Sequence, residues 1–238
     1  MGNTRYLELG DHLAAAAQEI ENKRSAEHSR LLILAAGAQL ATKVDVPGFR
    51  IPDVCEMCGI SRATFYLHFS AKEDLFVELM QHLTELECSL TPSLAECEDV
   101  ASGLERIVDW YLNLHMANAS LFANLTYLNR SNAAISESWR QRAKRLHVAL
   151  FAELERFDEI RALDKVEANF ILEFFGRAMN SLVNQFGPIG VLKNPYLPTD
   201  VAVAKRAVSK AFHRAFFGRD PTKGVSAPKK ITRARAPG

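Results

Sequence analysis

Residues 51–75 constrain the fold more than any other stretch. Two short segments, each with one apolar face, are separated by a single glycine and followed at once by a longer amphipathic run. In the first, Ile51, Val54, Cys55 and Cys58 recur at helical spacing. Pro52 stands where a first helical turn has no use for an N–H. Gly59 ends the segment, because glycine takes a positive φ at little cost. Ser61 is placed to cap a second helix, Arg62 to His68. Ser70, with Glu73 three residues on, reads as a capping box opening a third helix over 71–90. The inner face of that helix is Leu75, Leu79, Leu83, Leu86 and Leu90. Two short helices about a glycine turn, backed by a long one, form a helix-turn-helix unit.

The rest of the chain reads as helix too. Leu31, Leu34, Ala35, Ala38 and Ala41 share a face over Arg24 to Thr42, before Pro47-Gly48 breaks the run. Further helical spacing covers 100–117, about 120–129, 133–157, 165–186 and 199–217. Over 165–186 there are two apolar stripes: Val166, Phe170, Phe174, Ala178, Leu182 and Phe186, and beside them Ile171, Phe175, Met179 and Val183. In 199–217, Val201, Ala204, Val208, Ala211, Phe212, Ala215 and Phe216 face one way, and Lys205, Arg206, Ser209, Lys210, His213 and Arg214 mostly the other. No segment alternates with period two, and only 12 glycines and 9 prolines occur in 238 residues. The expected class is therefore all-α. Its parts are an N-terminal extension (1–23), a three-helix helix-turn-helix domain (24–72), a C-terminal helical bundle (73–218) and a basic tail (219–238). Residues 1–23 form either a helical arm or a disordered one.

The second short helix divides its labour in a way that suits nucleic acid. Phe65 and Phe69, four apart, turn inward with Ile60 and Val54, and Arg62, Ala63, Thr64, Tyr66 and His68 are left outside. An arginine bonds guanine bidentately, and an alanine or threonine methyl meets the thymine methyl. Tyr66, His68 and Lys72 can donate to phosphates, which position the helix without reading sequence. An ordinary helical hairpin with a solvated polar face would show a similar alternation. The net charge of +1 does not distinguish the two, since a small reader fused to a neutral bundle averages out.

The stretch resembles the DNA-binding domain of the TetR/AcrR family of bacterial regulators. Members carry a pattern close to D-I-A-x-x-A-G-V-S-x-G-T-x-Y-x-H-F-x-x-K-x-x-L. Here Asp53, Val54, Gly59, Ile60, Ser61, Thr64, Tyr66, His68, Phe69, Lys72 and Leu75 stand in register with it. The resemblance covers residues 24–90 and beyond them is one of layout. It implies that Ser61, Thr64, Tyr66, His68 and Lys72 bind phosphates and that Arg62 and Ala63 meet bases. Three departures matter. Arg50 replaces the usual threonine before the first short helix, so a phosphate contact there comes from a guanidinium. Cys55 and Cys58 replace two alanines. Ala63 replaces a glycine and puts a methyl toward the groove.

The family layout further implies a C-terminal domain that binds a small effector and forms a homodimer. The last two helices carry more apolar surface than one intrachain contact needs, which agrees with a four-helix interface between copies. A two-fold dimer sets its reading helices one DNA turn apart, roughly 34 Å, on a near-palindromic operator. Candidates to line an apolar or aromatic effector pocket are Trp110, Tyr111, His115, Phe122, Tyr127, Trp139, Phe170 and Phe174. Each also suits a plain core. The expected switch is a shift of helix 71–90 that respaces the two readers and releases the operator.

No metal-ligand spacing, cofactor motif or membrane span is expected. Cys55 and Cys58 form C-x-x-C, but a matching second pair is missing, and both suit a helix's inner face. The chain has no P-loop, G-x-S-x-G, H-E-x-x-H or dinucleotide fingerprint, so it does not read as an enzyme. Glu8, Asp11 and Glu19 interrupt any apolar leader, and a cytoplasmic location is the default. Two other readings stay open: a ligand- or partner-binding helical module without DNA binding and, last, an all-helical enzyme. The basic tail either adds phosphate attraction or only solubilises.

Overall fold

A computed structural model describes residues 8–186 and 194–218, with Asn184 described by its backbone alone. All regular structure among these residues is helical: α1 (Leu9–Glu19), α2 (Ala26–Ala41), α3 (Ile51–Cys58), α4 (Arg62–His68), α5 (Lys72–Ser89), α6 (Val100–Ala117), α7 (Ala119–Leu128), α8 (Ala133–Leu154), α9 (Asp158–Arg161), α10 (Lys165–Phe186) and α11 (Val201–Phe217).

The all-α expectation holds, and most helix limits follow local chemistry. Ser25 caps α2 by accepting from the His28 N–H. Asp99, Asn132 and Asp200 do the same for α6, α8 and α11. One expected cap is displaced by a residue. Helix α5 starts at Lys72, with Ala71 at the cap position and the Asp74 carboxylate accepting from the Ala71 N–H at 3.1 Å. Ser70 and Glu73 therefore do not form the box. Either acid is spaced to serve such a cap, and the chain uses the later one. The expected helix 133–157 ends earlier, at Leu154, and the short α9 follows.

The core positions the two halves. Helix α2 is buried on nearly every side because α1, α3, α5 and α7 all pack on it. Helix α1 lays Leu9, Leu13 and Ala17 against it, so the described part of the N-terminal extension is helical and docked. The Leu9 N–H also donates to Asn118 Oδ1 (2.8 Å) at the α6–α7 junction. Asn124 of α7 donates to the carbonyls of Ala41 and Val44 (both 3.0 Å). Helix α5 leaves the α2–α4 cluster and runs into the second half along α8. There α6 packs on α10 and α11.

The two stripes of α10 do not share a fate. Ile171 is half-buried, and Phe175, Met179 and Val183 face inward, joined by Ala168, Leu172 and Leu182. Val166, Phe170 and Phe174 face out, Phe170 being 70% exposed. In α11 the buried residues are Ala204, Ser209, Phe212 and Phe216, so Ser209 lies on the inner side rather than the polar one. Its hydroxyl is satisfied by the Lys205 carbonyl (2.9 Å). The basic tail 219–238 lies outside the described residues.

Candidate nucleic-acid interface and effector cavity

The turn between α3 and α4 is built from backbone outward. Gly59 has φ 68° and ψ 30°, and its N–H returns to the carbonyls of Cys55 and Glu56. The Ile60 N–H reaches the Cys55 carbonyl (3.0 Å), which closes the end of α3. Ser61 Oγ then accepts from the Thr64 N–H (3.0 Å) and shares a hydrogen bond with the Thr64 hydroxyl (2.9 Å). Phe65 and Phe69 are buried with their ring centres 5.6 Å apart, pinning α4 to the core. Arg62, Ala63, Tyr66 and Leu67 are exposed, and Thr64 and His68 half-buried. The cysteines fit the core reading: Cys55 is buried, and burial pushes both the Cys55 and Cys58 thiols up.

The α4–α5 corner is held from behind. The Arg30 guanidinium lies 4.6 Å over the Phe69 ring and donates to the His68 carbonyl (3.1 Å) and the Glu78 carboxylate. Burial alone would raise the Glu78 pKa. Hydrogen bonds from His82 and Arg30, and the charge of Arg30, outweigh it and hold the carboxyl at about 2.

Arg50 caps α3 with its backbone only. Its side chain is 73% exposed and donates to Asp53 at 3.2 Å. Lys72 points inward. Its ammonium donates to the Val46 carbonyl (2.7 Å) and the Phe49 carbonyl (3.3 Å), fastening the α2–α3 loop. Leu67, which is 83% exposed, is the member of the outer face that the sequence pattern passed over.

In the second half, a half-open cavity of about 330 Å³ lies between α6, α8 and α10. Ile107, Leu146, Leu150, Leu172 and Met179 give it apolar walls, and Tyr111, Trp139, Arg142 and Asn180 a more polar end. Gly176 opens it, since a Cβ there would meet nothing within 4 Å. Of the eight aromatic candidates, Tyr111 and Trp139 line this space. His115 and Phe122 are buried beside them, and Trp110 is buried in α6 away from the lining. Tyr127, Phe170 and Phe174 are exposed and do not reach it.

Beneath the cavity sits a buried ionic network. Arg142 donates through Nε and Nη2 to the two oxygens of Glu87 (both 2.7 Å). Its guanidinium faces the rings of Phe122 (4.8 Å) and Trp139 (5.6 Å). His115 Nδ1 lies 2.7 Å from the Tyr111 carbonyl, which requires an Nδ1–H. Its Nε2 lies 2.7 Å from both Arg142 and Glu87. Burial pushes the imidazole pKa down against the pull of Glu87. Burial would raise the Glu87 carboxyl, but the charges of Arg142 and His115 hold it at about 2. The Tyr111 hydroxyl donates to Asn180 Oδ1 (2.5 Å). One set of contacts thus links α5, α6, α8 and α10. The sequence did hold a signal for it. Glu87 sits four residues after Leu83 on the apolar stripe of α5, and Arg142 four before Leu146 on that of α8. A charge on an inner stripe needs a buried partner.

Among the described residues no group of three His, Cys, Asp or Glu side chains is placed to hold a metal ion. No helix among them is long and apolar enough to cross a membrane.

An exposed, N-capped second helix on a glycine turn, carried by a long helix into a cavity-bearing bundle, defines an all-helical fold with an N-terminal helix-turn-helix. Residues 33–79 match the family model described as bacterial regulatory proteins, tetR family. The fold matches a protein of Mesorhizobium loti MAFF303099 described as a TetR-family transcriptional regulator. There the TM-score is 0.61 and the identity 17%, over 81% of this chain and 96% of that one. A TetR transcriptional regulator from Rhodococcus sp. RHA1 matches with a TM-score of 0.55 and 13% identity, over 80% and 97%. A TetR-family regulator from Marinobacter aquaeolei VT8 matches with 0.55 and 19%, over 79% and 93%. At these identities the likeness is one of fold. No curated protein matches the chain in sequence. Residues 33–79 thus match the TetR-type N-terminal domain, and the described residues share the all-helical fold of these proteins, as the motif implied.

Proposed function

We propose that the chain is a ligand-responsive repressor that binds a near-palindromic operator as a homodimer. The observation that carries this is the outer face of α4, fixed by the Ser61 cap and Phe65 and bearing Arg62, Ala63, Thr64 and Tyr66 toward solvent. Residues 24–72 form the reader and 73–218 the effector and dimerisation body, with α1 clamped across both by the Leu9–Asn118 hydrogen bond. Ser61, Thr64, Tyr66, His68 and Arg50 contact phosphates, and Arg62 and Ala63 contact bases. Lys72 acts chiefly by holding the loop that carries Arg50, since its ammonium is engaged by two carbonyls there. Dimerisation uses α10 and α11. Val166, Phe170 and Phe174 lie exposed on one, and Val203, Ala207 and Ala211 on the other.

The effector occupies the α6/α8/α10 cavity and is uncharged and largely apolar. The charges at that site are already matched: Arg142 with Glu87, Arg177 with Glu173, and Arg140 with Glu137. With the Asn180 oxygen taken by Tyr111, its NH₂ group is a donor for a ligand oxygen. Ligand pressing on Arg142 or Tyr111 acts through Glu87 on α5, the helix that carries the reader. The switch works only for a ligand that prefers the released state.

The test is selection of bound duplexes from a random DNA pool by the full chain, followed by mobility shift. A palindromic consensus is expected, with binding lost in the Arg62→Ala/Tyr66→Ala double variant. Recovery of no sequence from the pool would leave a helical module that binds a ligand or partner without DNA. A thermal-shift screen of neutral aromatics identifies the effector. A ligand at 100 times its Kd adds about 2.7 kcal/mol to stability.

A further inference from the structure

The centre of the reading face is apolar, and this narrows what it can read. Successive residues of an α-helix turn by about 100°. Measured from buried Phe65, Ala63 and Leu67 each lie about 160° away, on the far side of α4. Thr64 and Tyr66 lie on the flanks at about 100°, and Arg62 and His68 only about 60° from the core. The side chains that point most directly away from the protein are therefore one methyl and one isobutyl group. Both are exposed, Leu67 by 83%. Leu67 is left uncovered within the described chain, although its chain neighbours Tyr66 and His68 are polar or amphipathic.

We propose that Ala63 and Leu67 form an apolar strip at the middle of the recognition helix that reads thymine by its C5-methyl group. This rests on the DNA-binding reading above. The major groove offers one apolar feature to such a strip, since every other base-edge group there is a hydrogen-bond donor or acceptor. Residues at i and i+4 stack along one helix face, so the two side chains follow the groove and meet thymines on neighbouring base pairs. The flanking Thr64 and Tyr66 reach the groove walls, and Arg62, at the first turn, extends past the strip to a guanine at its edge. Placing Leu67 against thymine methyls removes apolar surface from water on both partners, which a polar residue at 67 would forfeit.

The experiment uses the full-length protein and the duplex it selects from a random pool. Each thymine of that duplex is replaced in turn by uracil, which deletes the methyl and leaves base pairing intact. At one or two thymines per half-site, uracil is expected to weaken wild-type binding about four-fold, and about fifteen-fold when made in both half-sites. The Leu67→Ala variant should bind the thymine duplex more weakly and be indifferent to uracil at the thymine that Leu67 meets, while any penalty at a thymine met by Ala63 stays. Leu67→Met should keep the uracil penalty. Because Leu67 is exposed, its variants should unfold at the wild-type temperature, which separates loss of reading from loss of fold. A flat uracil scan for the wild type overturns the proposal, as does an identical uracil penalty in wild type and Leu67→Ala. Unchanged operator affinity in Leu67→Ala does so too, and would assign the leucine to a protein contact instead. Failure of the wild type to select any sequence overturns the DNA-binding reading itself. That outcome is distinct, because the other three presuppose a selected operator.

Discussion

The reader and the body handle their polar groups in opposite ways. In the reader, the caps and turn that set the limits of α4 join residues close in sequence, Ser61 with Thr64, Gly59 with Cys55 and Ala71 with Asp74, while Arg30 and Lys72 fasten the corner from behind over longer separations. Of the side chains proposed to meet DNA, Arg50, Ser61, Arg62, Ala63 and Tyr66 lie exposed. In the body the polar groups are buried and distant partners: Glu87 with Arg142, fifty-five residues apart, and Tyr111 with Asn180, sixty-nine apart. The difference teaches that the limits and exposed face of a short helix can be specified by short-range caps and one glycine. A cavity that communicates with another site needs contacts only the whole fold supplies.

The sharpest break of this contrast is at Glu87. Glu87→Ala leaves the Arg142 guanidinium buried without its counter-charge and should destabilise the chain by about 3–5 kcal/mol in urea unfolding. The double variant Glu87→Leu/Arg142→Met should recover most of that loss, because an apolar pair of similar volume needs no solvation. If the single and double variants lose the same amount, the network is not the coupled unit described here.

Acid should expose the same network and its counterpart in the reader. Glu78 and Glu87 both have folded-state pKa values of about 2, below the usual carboxylate value near 4.3. A depressed folded pKa contributes stability above the unfolded value and loses it as pH falls toward the folded one. The contribution of these two carboxylates should therefore be level above about pH 5 and fall steadily between about 4.3 and 2, and the depressed His115 adds a loss that begins as pH falls through 6.5. Glu87→Gln should flatten part of that slope. A slope unchanged in both Glu87→Gln and Glu78→Gln would count against these pairs.

How much of this was legible in the sequence follows the same divide. The limits of α3 and α4 agree with the pattern because Pro52, Gly59 and Ser61 act on their own neighbours. The α5 cap slipped by one residue because Glu73 and Asp74 are adjacent acids, and nothing local chooses between them. Leu67 escaped notice because exposure of a leucine is a property of the folded surface. In the body, aromatic residues marked apolar surface without saying what covers it. Tyr111 and Trp139 reach the cavity, but Phe170 and Phe174 sit on the outer stripe of α10. Periodicity gave two adjacent stripes there, and only packing against α6 and α11 decides which turns inward.

Within the reader, effects should be smaller and separable. Lys72→Met removes charged hydrogen bonds to the Val46 and Phe49 carbonyls and should cost about 1–2 kcal/mol of stability. Operator binding should weaken mainly through the loosened loop, so the salt dependence of binding should change little. A drop in the salt slope by nearly one would instead make Lys72 a direct phosphate contact. Ser61→Ala removes the α4 cap and should cost about 1 kcal/mol. Its effect should add to that of Lys72→Met, since the two groups share no partner.

The smallest effect lies in the body, and it has the opposite sign. Gly176 stands mid-helix in α10, where glycine is less stable than alanine by roughly 0.5–1 kcal/mol. A Cβ at this position would meet nothing within 4 Å, so Gly176→Ala should stabilise the chain by about that amount. A sequence that keeps the less stable residue where the more stable one fits is keeping room. The room opens into the cavity between α6, α8 and α10. Gly176→Leu should accordingly fold, fill the space and abolish the thermal shift given by any ligand the wild type binds there, while leaving operator affinity intact. A Gly176→Leu variant that still shows the full ligand-induced shift would move the effector site elsewhere in the body. The contrast between an open reader and a cavity-coupled body would then lose its link.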